Sequence, residues 1–300
     1  MTPPVTLDLW IERQQQALGT FLAQQLPAPA QSPQDLHQAM RYATLGGGKR
    51  LRALLTLACA ELLDMPREPS LRAAGSLELI HAYSLIHDDL PCMDNDALRR
   101  GQPTCHIRFG EATALLAGDA LQSLAFQWLT DSCAPGHEAR HLAQVRLLAI
   151  ASGSRGMAGG QALDLASHRT SLSLDELEAM HLKKTGALIR AAVLLGTLCG
   201  TTDIAPSIIH DLTHFANRLG LLYQIVDDIL DVTSDSATLG KTAGKDDAHN
   251  KATYVTLLGL GAARDKAAEV LDETLVALAR VPGNTEYLRG LTQRISARHH

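Results

Sequence analysis

The stretch Leu174-Asp175-Glu176-Leu177-Glu178-Ala179-Met180-His181-Leu182 decides the fold class. Its apolar residues return every three or four positions, the spacing of one helical face, and Ser173 stands three residues before Glu176, the pattern of a capping box at a helix start. The same periodicity runs through 35–45, 50–64, 71–89, 111–130, 138–157, 174–200, 206–234 and 250–280, with Pro33, Pro66, Pro69, Pro135, Pro206 and Pro282 at or near the breaks. Residues 112–129 and 186–200 are apolar on most faces, as in helices buried inside a large bundle or a subunit contact. No run of alternating β-branched residues supports a sheet-based nucleotide fold. The expectation is one all-α domain, a helical bundle, over residues 1–300.

Composition narrows the function. The chain has 300 residues, of which 46% are hydrophobic and 20% charged, a globular balance. Aromatics at 4% and a net charge of −5 disfavour a nucleic-acid partner. The apolar stretch 112–129 is interrupted by Asp119, Gln122 and Gln127, so no membrane span is expected. Residues 1–13 carry Asp8, Glu12 and Arg13 and do not read as a signal peptide. Cys59, Cys92, Cys105, Cys133 and Cys199 are odd in number and form no C-x-x-C pair, which suits reduced thiols in a cytoplasmic protein.

Two acidic clusters carry the chemistry. The first is His87-Asp88-Asp89-Leu90-Pro91-Cys92-Met93-Asp94-Asn95-Asp96, and the second is Asp227-Asp228-Ile229-Leu230-Asp231. Asp227 and Asp231 are four apart and share a helical face. Asp88 and Asp94 are six apart, on different faces of an undistorted helix, but Pro91 favours a break that lets Asp94 fold back. Each cluster follows an apolar helical stretch. Carboxylates crowded beside apolar helix repel one another unless a cation is present, and carboxylates without thiols suit a hard ion such as Mg²⁺ shared with phosphate oxygens. Either cluster alone also reads as a solvated acidic helix end.

Cationic motifs lie near glycines: Gly46-Gly47-Gly48-Lys49-Arg50-Leu51-Arg52, Arg99-Arg100-Gly101, Lys183-Lys184-Thr185-Gly186 and Gly240-Lys241-Thr242-Ala243-Gly244-Lys245. Lysine point charges, arginine forks and close backbone access are what phosphates need. A P-loop is excluded, because the residue six before Lys241 is Asp235, not glycine, and no strand precedes it.

On these motifs the chain resembles the trans-isoprenyl diphosphate synthases, most closely the bacterial members that make farnesyl diphosphate. The likeness covers about residues 35–260 and takes in both acidic clusters, the motifs at 47–52, 99–104 and 184–188, the Gly159-Gly160-Gln161-Ala162-Leu163-Asp164-Leu165 segment, and Gly240–Asp246, all in order. It implies one polyprenyl synthase domain, an isoprenoid synthase-type bundle with a deep central cavity, and a homodimer. Asp88, Asp94 and Asp227 would ligate magnesium, usually three ions, with Asp89, Asp228 and Asp231 completing or supporting that shell. Arg99, Lys184 and Lys241 would hold the allylic diphosphate, with Thr185 and Gln224 near the reacting carbons. Lys49, Arg52, His81 and Arg100 would bind isopentenyl diphosphate, and Gln161 and Asp164 would stand behind these groups.

The implied reaction is a head-to-tail condensation of isopentenyl diphosphate with dimethylallyl and then geranyl diphosphate. The allylic C–O bond ionises, the double bond attacks, and a proton is lost to the departing diphosphate, so no Ser-His-Asp or Cys-His nucleophile is needed. Tyr83, five residues before Asp88, would meet the growing tail and stop it at C15. The alternative is a geranylgeranyl or other short-chain synthase with the same catalytic residues and a different cavity floor. A terpene cyclase has no use for a second diphosphate site, and a non-catalytic partner subunit could dispense with its aspartates.

Overall fold

A computed structural model describes residues 6–131, 136–167, 172–201, 203–233 and 252–297. Fourteen α-helices and one short hairpin are found among them. The expected all-α class holds, and the helices read from periodicity appear within a few residues of their expected ends: α2 (Gln34–Leu45), α3 (Leu51–Leu62), α4 (Arg67–Asp88), α6 (Glu111–Trp128), α7 (Glu138–Ser152) and α11 (Pro206–Thr233). The expected helix 138–157 stops instead at Ser152. Gly153 and Gly156 turn the chain there, and a separate helix, α8, runs Met157–Ser167. The periodicity also passed over α1 (Leu7–Gln25), short α5 (Cys105–Phe109) and the last helix, Glu286–Ser296.

The segment 174–200 is two helices joined through a π turn. Helix α9 (Leu174–His181) begins at the expected capping box: the Glu176 N–H donates to Ser173 Oγ, and the Ser173 N–H donates to the Glu176 carboxylate. Leu182–Gly186 forms the π turn, and α10 (Ala187–Gly196) continues from it. Single π turns inside α-helices cluster at functional sites, and this one carries Lys184 and Thr185. The segment 250–280 resolves likewise into helices Tyr254–Leu258 and Leu260–Leu278, separated by Gly259 at φ +83°.

Packing explains which helices are buried all round. Helix α3 runs between α4 and α10, and Ala53 to Ala60 are all buried. Helix α4 packs against α3 and α6, and its run Ala73-Ala74-Gly75-Ser76 lets neighbours approach closely; a Cβ at Gly75 would meet the Phe21 ring at 2.9 Å and Trp128 at 3.1 Å. Helix α10 packs on α11, and α11 in turn on Leu260–Leu278. Large fully buried side chains such as Trp128, Phe215 and Leu77 fill the spaces between helices. The polar ends of α3, α4, α8 and α11, the π turn and the hairpin are left around one cavity.

Candidate active site

The cavity has a volume of about 550 Å³. Its wall includes Arg52 from α3, His81, Tyr83 and Asp88 from α4, Arg99 and Arg100 from the hairpin, Gln161 from α8, Lys184 and Thr185 from the π turn, and Gln224 and Asp227 from α11. Residues spread over 175 positions of sequence therefore meet at one place.

Asp88 ends α4, and the chain then doubles back: the Asp94 N–H donates to the Asp88 carbonyl oxygen at 2.8 Å. That is the fold-back expected at Pro91. Burial pushes the Asp88 carboxyl up to about 6, Lys184 opposes the shift, and Asp94 adds to it. Lys184 Nζ also sits 2.5 Å from an Asp164 oxygen. Across the cavity, Thr185 Oγ1 donates to Gln224 Oε1 at 3.1 Å, and Gln224 Nε2 donates to Asp228 at 2.8 Å. Asp228 accepts in addition from the Tyr254 backbone N–H at 2.9 Å. With its nitrogen committed to Asp228, Gln224 keeps its carbonyl dipole on the Thr185 side.

The basic side is built from two turns. Leu98–Arg99 pairs antiparallel with Gln102–Pro103, and the two residues between, Arg100 and Gly101, both have positive φ (54° and 73°), a type I′ turn. Arg99 forks onto Asp89, with Nε 2.8 Å and Nη2 2.6 Å from Oδ1. Arg100 donates to the Gly47 carbonyl oxygen, and Gly48, at φ +110°, would bring a Cβ within 2.5 Å of the Arg100 guanidinium carbon. Arg50, left-handed at φ 53°, caps α3 and binds buried Glu78 at 2.9 Å. His81 lies 3.5 Å from Arg52 Nη1; burial and then the surrounding Arg52, Arg100, Arg99 and Arg50 hold it well below the ordinary histidine value, so the ring is neutral.

Several expected site residues take other places. Asp89 is buried under the Arg99 fork, Asp228 under Gln224 and Tyr254, and Asp231 is buried on α11; none of the three lines the cavity. Lys49 is exposed and borders a second cavity of about 650 Å³ beside α1 and the last helix, which shares only Tyr223 with the first. Lys241, with the rest of 240–246, lies outside the described residues.

Sequence reasoning missed Glu78 and three glycines. A Cβ at Gly160 would sit 2.1 Å from the Lys184 backbone nitrogen, and one at Gly220 would sit 2.9 Å from Gly186 Cα, so α8 and α11 clamp the π turn from two sides. Gly118 makes room for His87 in the same way. Glu78, three residues before His81 in an apolar stretch, and Gly160, within the Gly159–Leu165 segment, were the two with a visible signal.

Among the described residues no three Asp, Glu, His or Cys side chains converge on one point. The donors nevertheless fit a magnesium–diphosphate: hard carboxylate oxygens of Asp88 and Asp227 on separate walls, one of them destabilised as an anion by burial, with cations beside them. An ion held there would need further oxygen ligands, which phosphate groups would supply. Fold and site together define an all-α bundle whose cavity sets paired carboxylates against clustered guanidinium and ammonium groups.

Residues 33–286 match the polyprenyl synthetase family model, and the chain belongs to that family. It is 46% identical to the farnesyl diphosphate synthase of Escherichia coli, over 99% of each chain. Among solved structures it is similar to an FPP/GFPP synthase from Zymomonas mobilis (TM-score 0.85, 39% identity, 97% and 98% of the two chains covered). It is also similar to a geranyltransferase from Helicobacter pylori complexed with magnesium and isoprenyl diphosphate (TM-score 0.85, 32% identity, 98% of each chain).

Proposed function

We propose that this chain is a farnesyl diphosphate synthase, a prenyltransferase acting over residues 1–300 as one polyprenyl synthase domain. It joins isopentenyl diphosphate head-to-tail to dimethylallyl diphosphate and then to geranyl diphosphate, releasing diphosphate each time. One observation carries this reading: a single cavity is lined by the carboxylates Asp88 and Asp227 with Lys184 and Arg99, and also by a second cationic group, Arg52 and Arg100 with neutral His81. One diphosphate needs the first group. Only a reaction with two diphosphate substrates needs both.

Asp88, Asp94 and Asp227 would hold three Mg²⁺ ions, and Asp89, Asp228 and Asp231 would support them from behind. Bound magnesium supplies Lewis acidity that draws electrons from the leaving diphosphate. Lys184 and Arg99 neutralise the same group, and Lys241 closes over it. Thr185 and Gln224 present oxygen dipoles to the carbon that becomes positive as the C–O bond breaks. Arg52, Arg100, His81 and Lys49 seat isopentenyl diphosphate so that its double bond faces that carbon. Loss of a proton to the departing diphosphate forms the new alkene, and the buried, largely apolar wall towards Tyr83 excludes water from the cation.

The enzyme works as a homodimer in the cytoplasm. Support for the dimer comes from exposed apolar side chains along α6, with Leu115 46% and Leu116 56% accessible. No helix among the described residues is long and apolar enough to cross a membrane.

Incubation with isopentenyl and dimethylallyl diphosphate, with Mg²⁺ or with EDTA, tests the reading by product chain length. Magnesium-dependent C15 is expected. C20 or longer keeps the two-diphosphate site and replaces the product with that of a geranylgeranyl or related synthase, and no condensation overturns the proposal.

A further inference from the structure

Tyr83 and His87 lie one helical turn apart on α4 and both wall the cavity. Their rings meet edge to face, with centroids 5.7 Å apart and planes at 74°. Behind them stands α6. His87 Nε2 lies 3.1 Å from the Leu115 carbonyl oxygen and 3.8 Å from an Asp119 carboxylate oxygen, so the imidazole rests against the α6 backbone. The Tyr83 hydroxyl is tied to the same helix through the Gln122 side chain.

The place where the imidazole rests is Gly118. A Cβ there would sit 2.1 Å from His87 Nε2, 2.5 Å from Cδ2 and 2.9 Å from Cε1, distances at which no side chain coexists with the ring. Gly118 is buried in the interior of a helix, where glycine is disfavoured against alanine, and its backbone is not left-handed. Its requirement is therefore for space rather than for a turn, and the space is occupied by His87.

We infer that Gly118 sets product length as a positioning residue: by leaving room for the His87 ring against α6, it keeps that ring out of the elongation space beside Tyr83. The inference rests on the chain-elongation reading given above. Gly118 does not line the cavity; it acts through His87. A methyl group at 118 closes the α6 side, and the imidazole, which lines the cavity, is displaced towards it. The tail then meets an obstruction sooner, and the second condensation suffers more than the first.

The test is product analysis of the full chain with isopentenyl diphosphate, dimethylallyl diphosphate and Mg²⁺, reading the C10:C15 ratio for Gly118→Ala, His87→Ala and the double variant, with circular dichroism to establish folding. Gly118→Ala is expected to raise that ratio about tenfold, the discrimination one methyl-sized group commonly supplies. In the double variant the clash is gone, so the ratio should return to that of His87→Ala alone; a packing defect in α6 would persist whatever stands at 87. A folded Gly118→Ala with the wild-type ratio overturns the inference, as does an excess of C10 that survives in the double variant. Should Gly118→Ala fail to fold, recovery of folding and of the His87→Ala product ratio in the double variant supports the contact, and a double variant that also fails overturns it. Wild-type chain that makes no C15 overturns the elongation reading itself, whereas C15 from wild type with no effect at 118 removes this inference alone.

Discussion

The Asp94 N–H reaches back 2.8 Å to the carbonyl oxygen of Asp88, so two aspartates that an unbroken helix would set on different faces are brought close together, Asp88 on the cavity wall and Asp94 just outside it. Pro91 lies between them, Met93 N–H closes a turn onto the Leu90 carbonyl oxygen, and Asn95 takes a left-handed φ of 50°. Proximity has an electrostatic consequence. The Asp88 carboxyl is raised from 3.8 to about 6, by burial first and by Asp94 in addition.

Replacing Asp88 should therefore stabilise the metal-free chain while disabling it. Between pH 3.8 and about 6 the folded chain holds more protons at Asp88 than the unfolded chain, so this group's contribution to stability falls as pH rises through that window. Asp88→Asn should raise metal-free stability at pH 8 by about 1–2 kcal/mol, after allowance for solvent screening, and by nothing below pH 4. Magnesium-dependent turnover of the same variant should drop by at least about 100-fold. Thermal melts in EDTA at the two pH values, beside steady-state assays, check both halves; equal melting temperatures at pH 8 would contradict the burial argument.

Magnesium affinity should itself depend on pH. Metal binding requires the Asp88 carboxylate, so the half-saturating Mg²⁺ concentration should rise as pH falls through about 6. Titration at pH 5.5 and 7.5 measures this, and a flat response would place the metal elsewhere.

Tyr83 is buried at 8% exposure, yet it lines the cavity, five residues before Asp88. Tyr83→Ala removes the aromatic ring in the path assigned to the tail, and C20 should appear at the expense of C15. Unchanged C15 would take Tyr83 out of the chain-length argument.

Glu78 is 2% exposed and holds Arg50 at 2.9 Å, while Arg50 caps α3 beside the Gly46–Gly48 turn whose Gly47 carbonyl oxygen accepts from Arg100. Breaking a buried pair from one side typically costs about 3–5 kcal/mol. Glu78→Gln should lower the melting temperature and raise KM for isopentenyl diphosphate more than KM for the allylic substrate. Equal changes in the two KM values would mean that Glu78 only stabilises the bundle.

Gly160→Ala puts a methyl group 2.1 Å from the Lys184 backbone nitrogen, where neither α8 nor the π turn has slack. Overpacking of this kind costs about 1–3 kcal/mol. Because the strained segment carries Lys184 and Thr185, kcat should fall together with stability; thermal unfolding and initial rates on the same preparation report both, and full kcat would show that the π turn tolerates displacement.

Much of this protein was determined by its sequence alone. Three- and four-residue periodicity is a local property, so α2, α3, α4, α6 and α11 were legible with their ends, as was the capping box at Ser173. Charged residues retained beside apolar helices, Asp88, Asp227, Arg52 and Lys184 among them, marked the site for the same reason, since burying a charge is too costly to be incidental. The tertiary structure decided what depends on distance between elements. Helix α8 starts at Met157, where the helix expected over 138–157 ends, and the rest of its residues fell in none of the periodic segments, while the π turn was hidden by a sequence that reads as uninterrupted helix. That Asp89 takes Arg99, that Asp228 orients Gln224, and that Gly118, Gly160 and Gly220 are required for room rather than for turns follow from which backbones cross where. A glycine carries no mark in the sequence of the neighbour that will occupy its missing side chain, so only the packed bundle reveals it.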